Sequence, residues 1–262
     1  KTTVSMFSDP VTGDFGVLMM LRDVSAEKRL DSMKEEFFQA AAHDLRAPLF
    51  AISGFLRLLR RSFEPDGRQT GWLDSIDQSV ERLTQLVKDT LDSARIESGR
   101  LRLAPSTVDA RALLRRAARL FQPLADERRI TLDIRVPDSA PVLEADERLL
   151  ERLLHNLLSN AVKFTPPEGH VTLEAIPAGA DHLELAVTDT GPGIPESQRV
   201  AVFEKFRQLD PSHARAGFGL GLNICAKIVK LHGGVIWIQP GPTGGAQFVV
   251  RLPLSRRTKE TA

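Results

Sequence analysis

The sequence of 262 residues contains one cysteine, Cys225, which rules out an intrachain disulfide and a cysteine-based zinc site and fits a reducing, cytoplasmic setting. It has no uninterrupted apolar run near the roughly 18 residues that would mark a membrane span. It also lacks a basic block: 35 Lys and Arg against 34 Asp and Glu leave a net charge of +1, so nucleic acid is not an expected partner. The six histidines show no metal-ligand spacing. Neither an initiating methionine nor a signal-peptide pattern opens the chain at Lys1-Thr2-Thr3-Val4, and the expectation is a fragment whose upstream portion is missing.

What is present divides by its periodicity. The length favours two domains and a linker over one unit. Residues 11 to 22 read as the remnant of a β-hairpin, with a turn at Val11-Thr12-Gly13-Asp14 and a β-favouring run from Gly16 to Leu21. From Leu30 onward apolar residues recur by threes and fours, at Met33, Phe37, Ala41, Leu45, Leu49, Ile52, Leu56 and Leu59, which predicts one long amphipathic helix. Phe63-Glu64-Pro65-Asp66-Gly67 ends it, and a second stripe runs through Leu73, Ile76, Val80, Leu83, Val87, Leu91 and Ala94. A single helical hairpin leaves its stripe half covered, so pairing with a second copy into a four-helix bundle is expected.

After Arg100-Leu101-Arg102-Leu103-Ala104-Pro105 the pattern becomes α/β. Strands are predicted at 130–136, with Ile130, Leu132, Ile134 and Val136 on one face, and at 171–176, 183–187, 235–238 and 248–252. Helices at about 109–128, 147–164 and 221–232 are expected to cover one face of a mixed sheet. The fold class is thus an antiparallel helical hairpin followed by an α/β sandwich.

Four groups of residues point to chemistry. His43, with Asp44 beside it, lies nearly opposite the apolar stripe of the first helix, since each residue turns the helix by about 100°. Its imidazole is largely unprotonated at neutral pH and nucleophilic, and Asp44 is placed to take a proton from one ring nitrogen. Pro48 removes a helical hydrogen bond and crowds the Asp44 carbonyl, which predicts a kink there. In the second group Asn156, Asn160 and Lys163 share a helical strip about 60° wide. Amide oxygens suit Mg²⁺ and the lysine suits phosphate. The third is Asp189-Thr190-Gly191-Pro192-Gly193 after a strand, where a carboxylate under close-approaching backbone can accept from an exocyclic amine. The fourth is Gly217-Phe218-Gly219-Leu220-Gly221, leading into a helix whose first amides can face phosphate. Between the last two lies a long segment from Pro195 to Ala216, a candidate nucleotide cover. Taken singly, each group has a plainer reading: an idle exposed histidine, a solvated helix face, an ordinary turn.

Taken together and in this order, these elements resemble the bacterial sensor histidine kinases. His43 to Leu49 is similar to that family's H-box, Asn156 to Thr165 to its N-box, Asp189 to Gly193 to its first glycine box, Phe203 to Phe206 to its F-box, and Gly217 to Leu222 to its second glycine box. The resemblance implies an autokinase that uses ATP and Mg²⁺ to phosphorylate His43 and passes the phosphoryl group to the receiver domain of a response regulator. It implies Asn160 and Asn156 on the metal, Lys163 on phosphate, Asp189 on adenine with Gly191 and Gly193 beside it, and Gly217, Gly219 and Gly221 around the phosphates. Arg207 is the candidate for the γ-phosphate.

By the same resemblance, residues 1–22 are the end of a PAS sensor domain and 23–99 a signalling helix with the dimerisation and phosphotransfer domain. Residues 100–105 are then a linker, 106–255 the ATP-binding domain of Bergerat type and 256–262 a polar tail. The partners implied are a second copy of the chain, a response regulator and an upstream sensor absent from this fragment, with any membrane anchor outside it. Two positions depart from the pattern. Ala47 stands where family members that dephosphorylate their partner carry Thr or Asn, so slow dephosphorylation is expected. Phe218 replaces a commoner Thr or Ser and leaves the backbone cradle intact. Other ATPases on the same nucleotide fold lack paired helices bearing His-Asp-x-x-x-Pro, and a nucleotide-binding scaffold without catalysis is separated from a kinase by incubation with labelled ATP.

Overall fold

The computed structural model describes residues 2–8, 15–21, 33, 45, 48–62, 67–97, 103–137, 141–208 and 219–255. His43, Asp44, Ala47, Gly217 and Phe218, and with them the kink expected near Asp44, lie outside the described residues. The chain divides into two compact units, Lys1–Leu73 and Asp74–Ala262.

In the first unit, β1 (Thr2–Ser8) and β2 (Phe15–Leu21) form an antiparallel pair in continuous register from Thr2 opposite Leu21 to Ser8 opposite Phe15. The β-favouring run at 16–21 was legible in the sequence; the partner strand at 2–8 was not. The helix α1 follows over residues 48–62, and α2 (Gly67–Glu97) begins in this unit and continues into the second. Burial along the two helices follows a heptad. Leu49 and Leu56 of α1 and Leu73 and Val80 of α2, each pair seven apart, are buried. Leu45, Ile52 and Leu59, and Ile76 and Leu83 of α2, also seven apart, are between 42% and 50% exposed. The expected stripe is therefore two seams on each helix, one buried and one open. Phe50, Phe55, Leu58 and Trp72 are exposed as well, with the Arg68 guanidinium 5.4 Å from the Trp72 ring.

The second unit is built on a five-stranded sheet. In chain order the elements are β3 (Ser106–Asp109), α3 (Ala110–Glu127), β4 (Thr131–Arg135), β5 (Val142–Ala145), α4 (Glu147–Phe164), β6 (His170–Ala178), β7 (His182–Asp189), α5 (Gly221–Leu231), β8 (Val235–Pro240) and β9 (Ala246–Pro253). The sheet order is β4-β6-β7-β9-β8, with β4 and β6 parallel and the other pairs antiparallel. The short strands β3 and β5 pair only with each other.

One face of the sheet carries Val171, Leu173, Leu183, Leu185, Val187, Phe248, Val250 and Leu252, all buried. Against it pack Leu113 and Leu114 of α3, Leu150, Leu153, Leu154, Leu157 and Leu158 of α4, and Ile224 and Ile228 of α5. Each such side chain contributes roughly 1.5–3 kcal/mol on burial, which is why three amphipathic helices settle on one face. Ile134 was expected on that face and is exposed, because β4 is an edge strand with β6 as its sole neighbour. The opposite face is covered by its own polar side chains. Gln239 Nε2 donates to Gln247 Oε1 at 2.6 Å, Gln247 Nε2 to Thr188 Oγ1 at 3.0 Å, and Arg251 pairs with Glu184 at 2.7 Å while its guanidinium lies 5.2 Å from the Trp237 ring. No helix among the described residues is long and apolar enough to cross a membrane.

Candidate nucleotide-binding site

The two helices α3 and α4 begin on capping aspartates. Asp109 Oδ1 accepts from the Arg111 and Ala112 amides at 2.8 and 3.2 Å, and the buried Asp146 accepts from the Leu149 amide at 3.3 Å and from Ala104 at 3.0 Å. Asp146 also donates its backbone N–H to His232 Nε2 at 3.0 Å, while His232 Nδ1 lies 2.8 Å from the Ile228 carbonyl. The imidazole is therefore the neutral tautomer protonated at Nδ1, and it ties the start of α4 to the end of α5. Helix α5 has no side-chain cap. Its first intrahelical bond from a backbone amide runs from Ile224 to Leu220, so the amides of Gly221, Leu222 and Asn223 point out of the helix end, where the dipole favours an anion.

Asp189 ends β7 with its side chain buried. Its Oδ1 accepts from the Gly191 amide at 2.9 Å and from the Ala246 amide at 3.2 Å. Burial raises the carboxyl above the ordinary aspartate range, and the two backbone donors oppose that rise. Both bonds fall on Oδ1, which leaves Oδ2 as the acceptor for a ligand donor. The second donor, Ala246, opens β9 directly after a turn that sequence reading passed over, Gly241-Pro242-Thr243-Gly244-Gly245, between β8 and β9. Gly245 has φ +77 and lies so close to the Asp189 carbonyl that any side chain there would collide with it. The same turn backs onto Gly193 (φ +73), where an added Cβ would meet the Gly245 carbonyl at 2.9 Å. A cluster of glycines between two β-runs is the signal that could have pointed to this turn.

Helix α4 joins these parts. At its C-terminal end the Phe164 carbonyl faces Gly191, where an added Cβ would come within 2.8 Å. One face earlier, Asn156 Nδ2 donates to the Gly221 carbonyl at 3.3 Å. Because that carbonyl can only accept, the amide orientation is fixed and the Asn156 oxygen is the remaining acceptor. Asn160 lies one turn further along α4, on the same side. Among the described residues no group of three His, Cys, Asp or Glu side chains converges on a possible metal, so any cation here would be met by amide oxygens and by the phosphates themselves.

At the end of the same helix the Lys163 ammonium lies 4.7 Å from the Phe164 ring. Its pKa is lowered to about 8, chiefly by burial and then by the Arg128 and Arg82 guanidinium groups. Arg128 in turn donates to the Val162 and Lys163 carbonyls at 3.2 and 3.3 Å and closes the C-terminus of α4. Gly219 accepts at its carbonyl from the Phe206 amide at 3.0 Å and lies against the Arg207 backbone, whereas Arg207 as a residue is exposed. The structure thus gathers Asp189, Gly191, Gly193, Asn156 and Gly221 around α4, and joins Gly219 to the Arg207 backbone.

Comparison with known proteins places the chain in a family. Residues 145–256 match the model of the histidine kinase-, DNA gyrase B- and HSP90-like ATPases, and residues 33–99 match that of the His Kinase A (phospho-acceptor) domain. The alginate biosynthesis sensor protein KinB of Pseudomonas aeruginosa is 34% identical over 241 residues, covering 91% of this chain and 40% of KinB. The adaptive-response sensory kinase SasA of Crocosphaera subtropica is 30% identical over 258 residues, covering 93% of this chain and 68% of SasA. Full-length ShkA, solved in complex with AMPPNP, is 32% identical with a TM-score of 0.71, covering 83% of this chain and 45% of ShkA. The chain spans less than half the length of several curated relatives it matches. With both family models matched in order and relatives of this extent, the chain belongs to the sensor histidine kinases.

Proposed function

We propose that this chain is the kinase portion of a two-component sensor, which phosphorylates its own His43 from ATP and transfers the phosphoryl group to an aspartate of a response regulator. The observation that carries the nucleotide half is Asp189: a buried carboxylate whose Oδ1 is taken by two backbone amides, leaving Oδ2 for the exocyclic amine of adenine. The uncapped start of α5 and the Gly219 and Gly221 backbone suit the phosphates, and Gly217, outside the described residues, is assigned with them on its sequence motif alone. The donor set fits Mg²⁺: Asn156 presents a fixed amide oxygen and Asn160 a second one turn away, which is enough for an ion that leans on phosphate and water. When bound, Mg²⁺ would supply charge neutralisation across the phosphates. Lys163 adds a positive charge near the end of α4, and Arg207 is the candidate for the γ-phosphate.

In the transfer, one ring nitrogen of His43 supplies its lone pair to the γ-phosphorus, the bond from phosphorus to the ADP oxygen breaks, and ADP leaves with that electron pair. Asp44 takes the proton from the other ring nitrogen, so the product is a neutral-ring phosphoramidate. A regulator carboxylate oxygen then attacks the same phosphorus, the N–P bond breaks with its electron pair returning to the ring nitrogen, and the ring takes back a proton, which regenerates His43. A second copy of the chain is the natural cover for the open seams, at Leu45, Ile52 and Leu59 in the first unit and at Ile76 and Leu83 of α2 in the second. The domain limits proposed are 1–22 for the end of a PAS sensor, supported by the β1–β2 pair, then 23–99, 100–105 and 106–255. A cytoplasmic setting follows from the need for ATP and a regulator.

Incubation with Mg²⁺ and γ-labelled ATP tests the reading. The expected product is a label on His43 that is lost in acid, kept in alkali, and chased onto purified response regulators. An acid-stable label, or none, would refute it.

A further inference from the structure

The first turn of α5 is held from two sides by side-chain amides. From α4, Asn156 Nδ2 reaches the Gly221 carbonyl at 3.3 Å. From within α5, Asn223 Nδ2 donates at 2.8 Å to the carbonyl of Phe203, the last residue of a single 3-10 turn at Ala201–Phe203. That turn is itself anchored, since Val202 is buried in the core and Phe203 packs against it. The Phe206 amide bonds the Gly219 carbonyl nearby, so residues 203–206 and 219–223 are joined at two points. The other half of the Asn223 amide is not satisfied: Oδ1 is buried and meets no donor among the described residues. A buried acceptor without a donor opposes folding, and a residue selected for stability alone would not keep one.

We propose that Asn223 is a positioning residue for the nucleotide: by tying Phe203 to the first turn of α5, it sets the direction of the Gly221–Asn223 amides and, through the Gly221 carbonyl, of the Asn156 amide. The Asn223 side chain does not touch the substrate, because its amide is turned to Phe203. It acts through backbone that does, and its effect is pre-organisation of donors that would otherwise have to be ordered on binding. The proposal rests on the reading of α5 as the phosphate site.

The test uses the full chain with Asn223→Ala and Asn223→Asp, and compares KM for ATP, maximal autophosphorylation rate and melting temperature. In Asn223→Ala the bond to Phe203 and the orphaned oxygen disappear together, so melting should stay within about 2 °C of wild type. KM for ATP should rise about threefold to tenfold, as expected for one lost hydrogen bond, with the maximal rate nearly unchanged. Asn223→Asp sets a carboxylate oxygen against the Phe203 carbonyl and should raise KM further. Unchanged KM in both variants would overturn the proposal. So would a drop in melting temperature of 10 °C or more in Asn223→Ala, which would assign the residue to stability. Wild-type protein that binds no ATP would instead refute the phosphate site itself, a result visible before any variant is made.

Discussion

The helical hairpin and the α/β unit carry similar leucine-rich helices and treat them differently. In α4, Leu150, Leu153, Leu154, Leu157 and Leu158 are all buried, because the helix has a five-stranded sheet beneath it and helices on both sides. In α1 and α2 every buried heptad position is followed by an exposed one: Leu49 by Ile52, Leu56 by Leu59, Leu73 by Ile76, Val80 by Leu83. A sheet offers a continuous apolar plane and a helix only a stripe, so a helix on a sheet is finished within one chain while a lone helix pair is not. One region buries its leucines within the chain, and the other leaves half of its heptad positions exposed.

The sharpest separation of the two regions is chemical. His43→Gln should remove all acid-labile label while calorimetry shows ATP binding at the wild-type level, because the acceptor and the nucleotide pocket belong to different regions. Loss of nucleotide binding in that variant would mean the regions are not independent. Conversely, Asp189→Asn should weaken ATP binding by about tenfold to a hundredfold and leave the dimer intact. The asparagine oxygen can keep the bonds from Gly191 and Ala246, but its NH₂ then faces the adenine amine, donor against donor.

Packing comes next in size. Leu157→Ala in α4 should destabilise the α/β unit by about 2–5 kcal/mol, equally at all protein concentrations. Ile52→Ser together with Leu83→Ser should instead raise the dimer dissociation constant in sedimentation while leaving the α/β melting transition in place. If the double variant dimerised normally, the open seam would not be the interface.

The smallest expected effect concerns Lys163. Its pKa of about 8 in the folded protein lies below the ordinary lysine value of 10.5, so the charged form is disfavoured by folding. Stability from this group is fully present above 10.5 and is lost as pH falls through about 8. At pH 7 Lys163→Met should therefore stabilise the unit, by about 1 kcal/mol once solvent screening is discounted. Phosphate favours the ammonium form, so wild-type ATP affinity should fall as pH rises through about 8, and Lys163→Met should show a flat profile. A sloped profile in the variant would assign the titration elsewhere.

Much of this architecture was legible beforehand. The helices read at about 109–128, 147–164 and 221–232 are found at 110–127, 147–164 and 221–231, because each has a full amphipathic period and meets a sheet. Strands β3 and β5 were missed: four residues are too few for alternation to register, and they pair only with each other. Asp189 and its glycines were legible as a D-x-G-x-G group. The turn that completes them was not, because the contact of Gly245 with Asp189 spans 56 residues and exists only once β7 and β9 have paired. Nothing local in the sequence marks the bond of Asn223 to Phe203, which spans 20 residues.

The pairing of each tryptophan with an arginine has an optical consequence. The sequence holds two tryptophans and no tyrosine, and they fall one to each compact unit: Trp72 beside Arg68 and Trp237 beside Arg251. Indole emission thus comes from two known addresses, each beside a guanidinium group. With Trp72→Phe the remaining fluorescence follows the α/β sheet alone, and with Trp237→Phe it follows the helical hairpin, so the protein contains its own pair of reporters for watching one region while the other is perturbed.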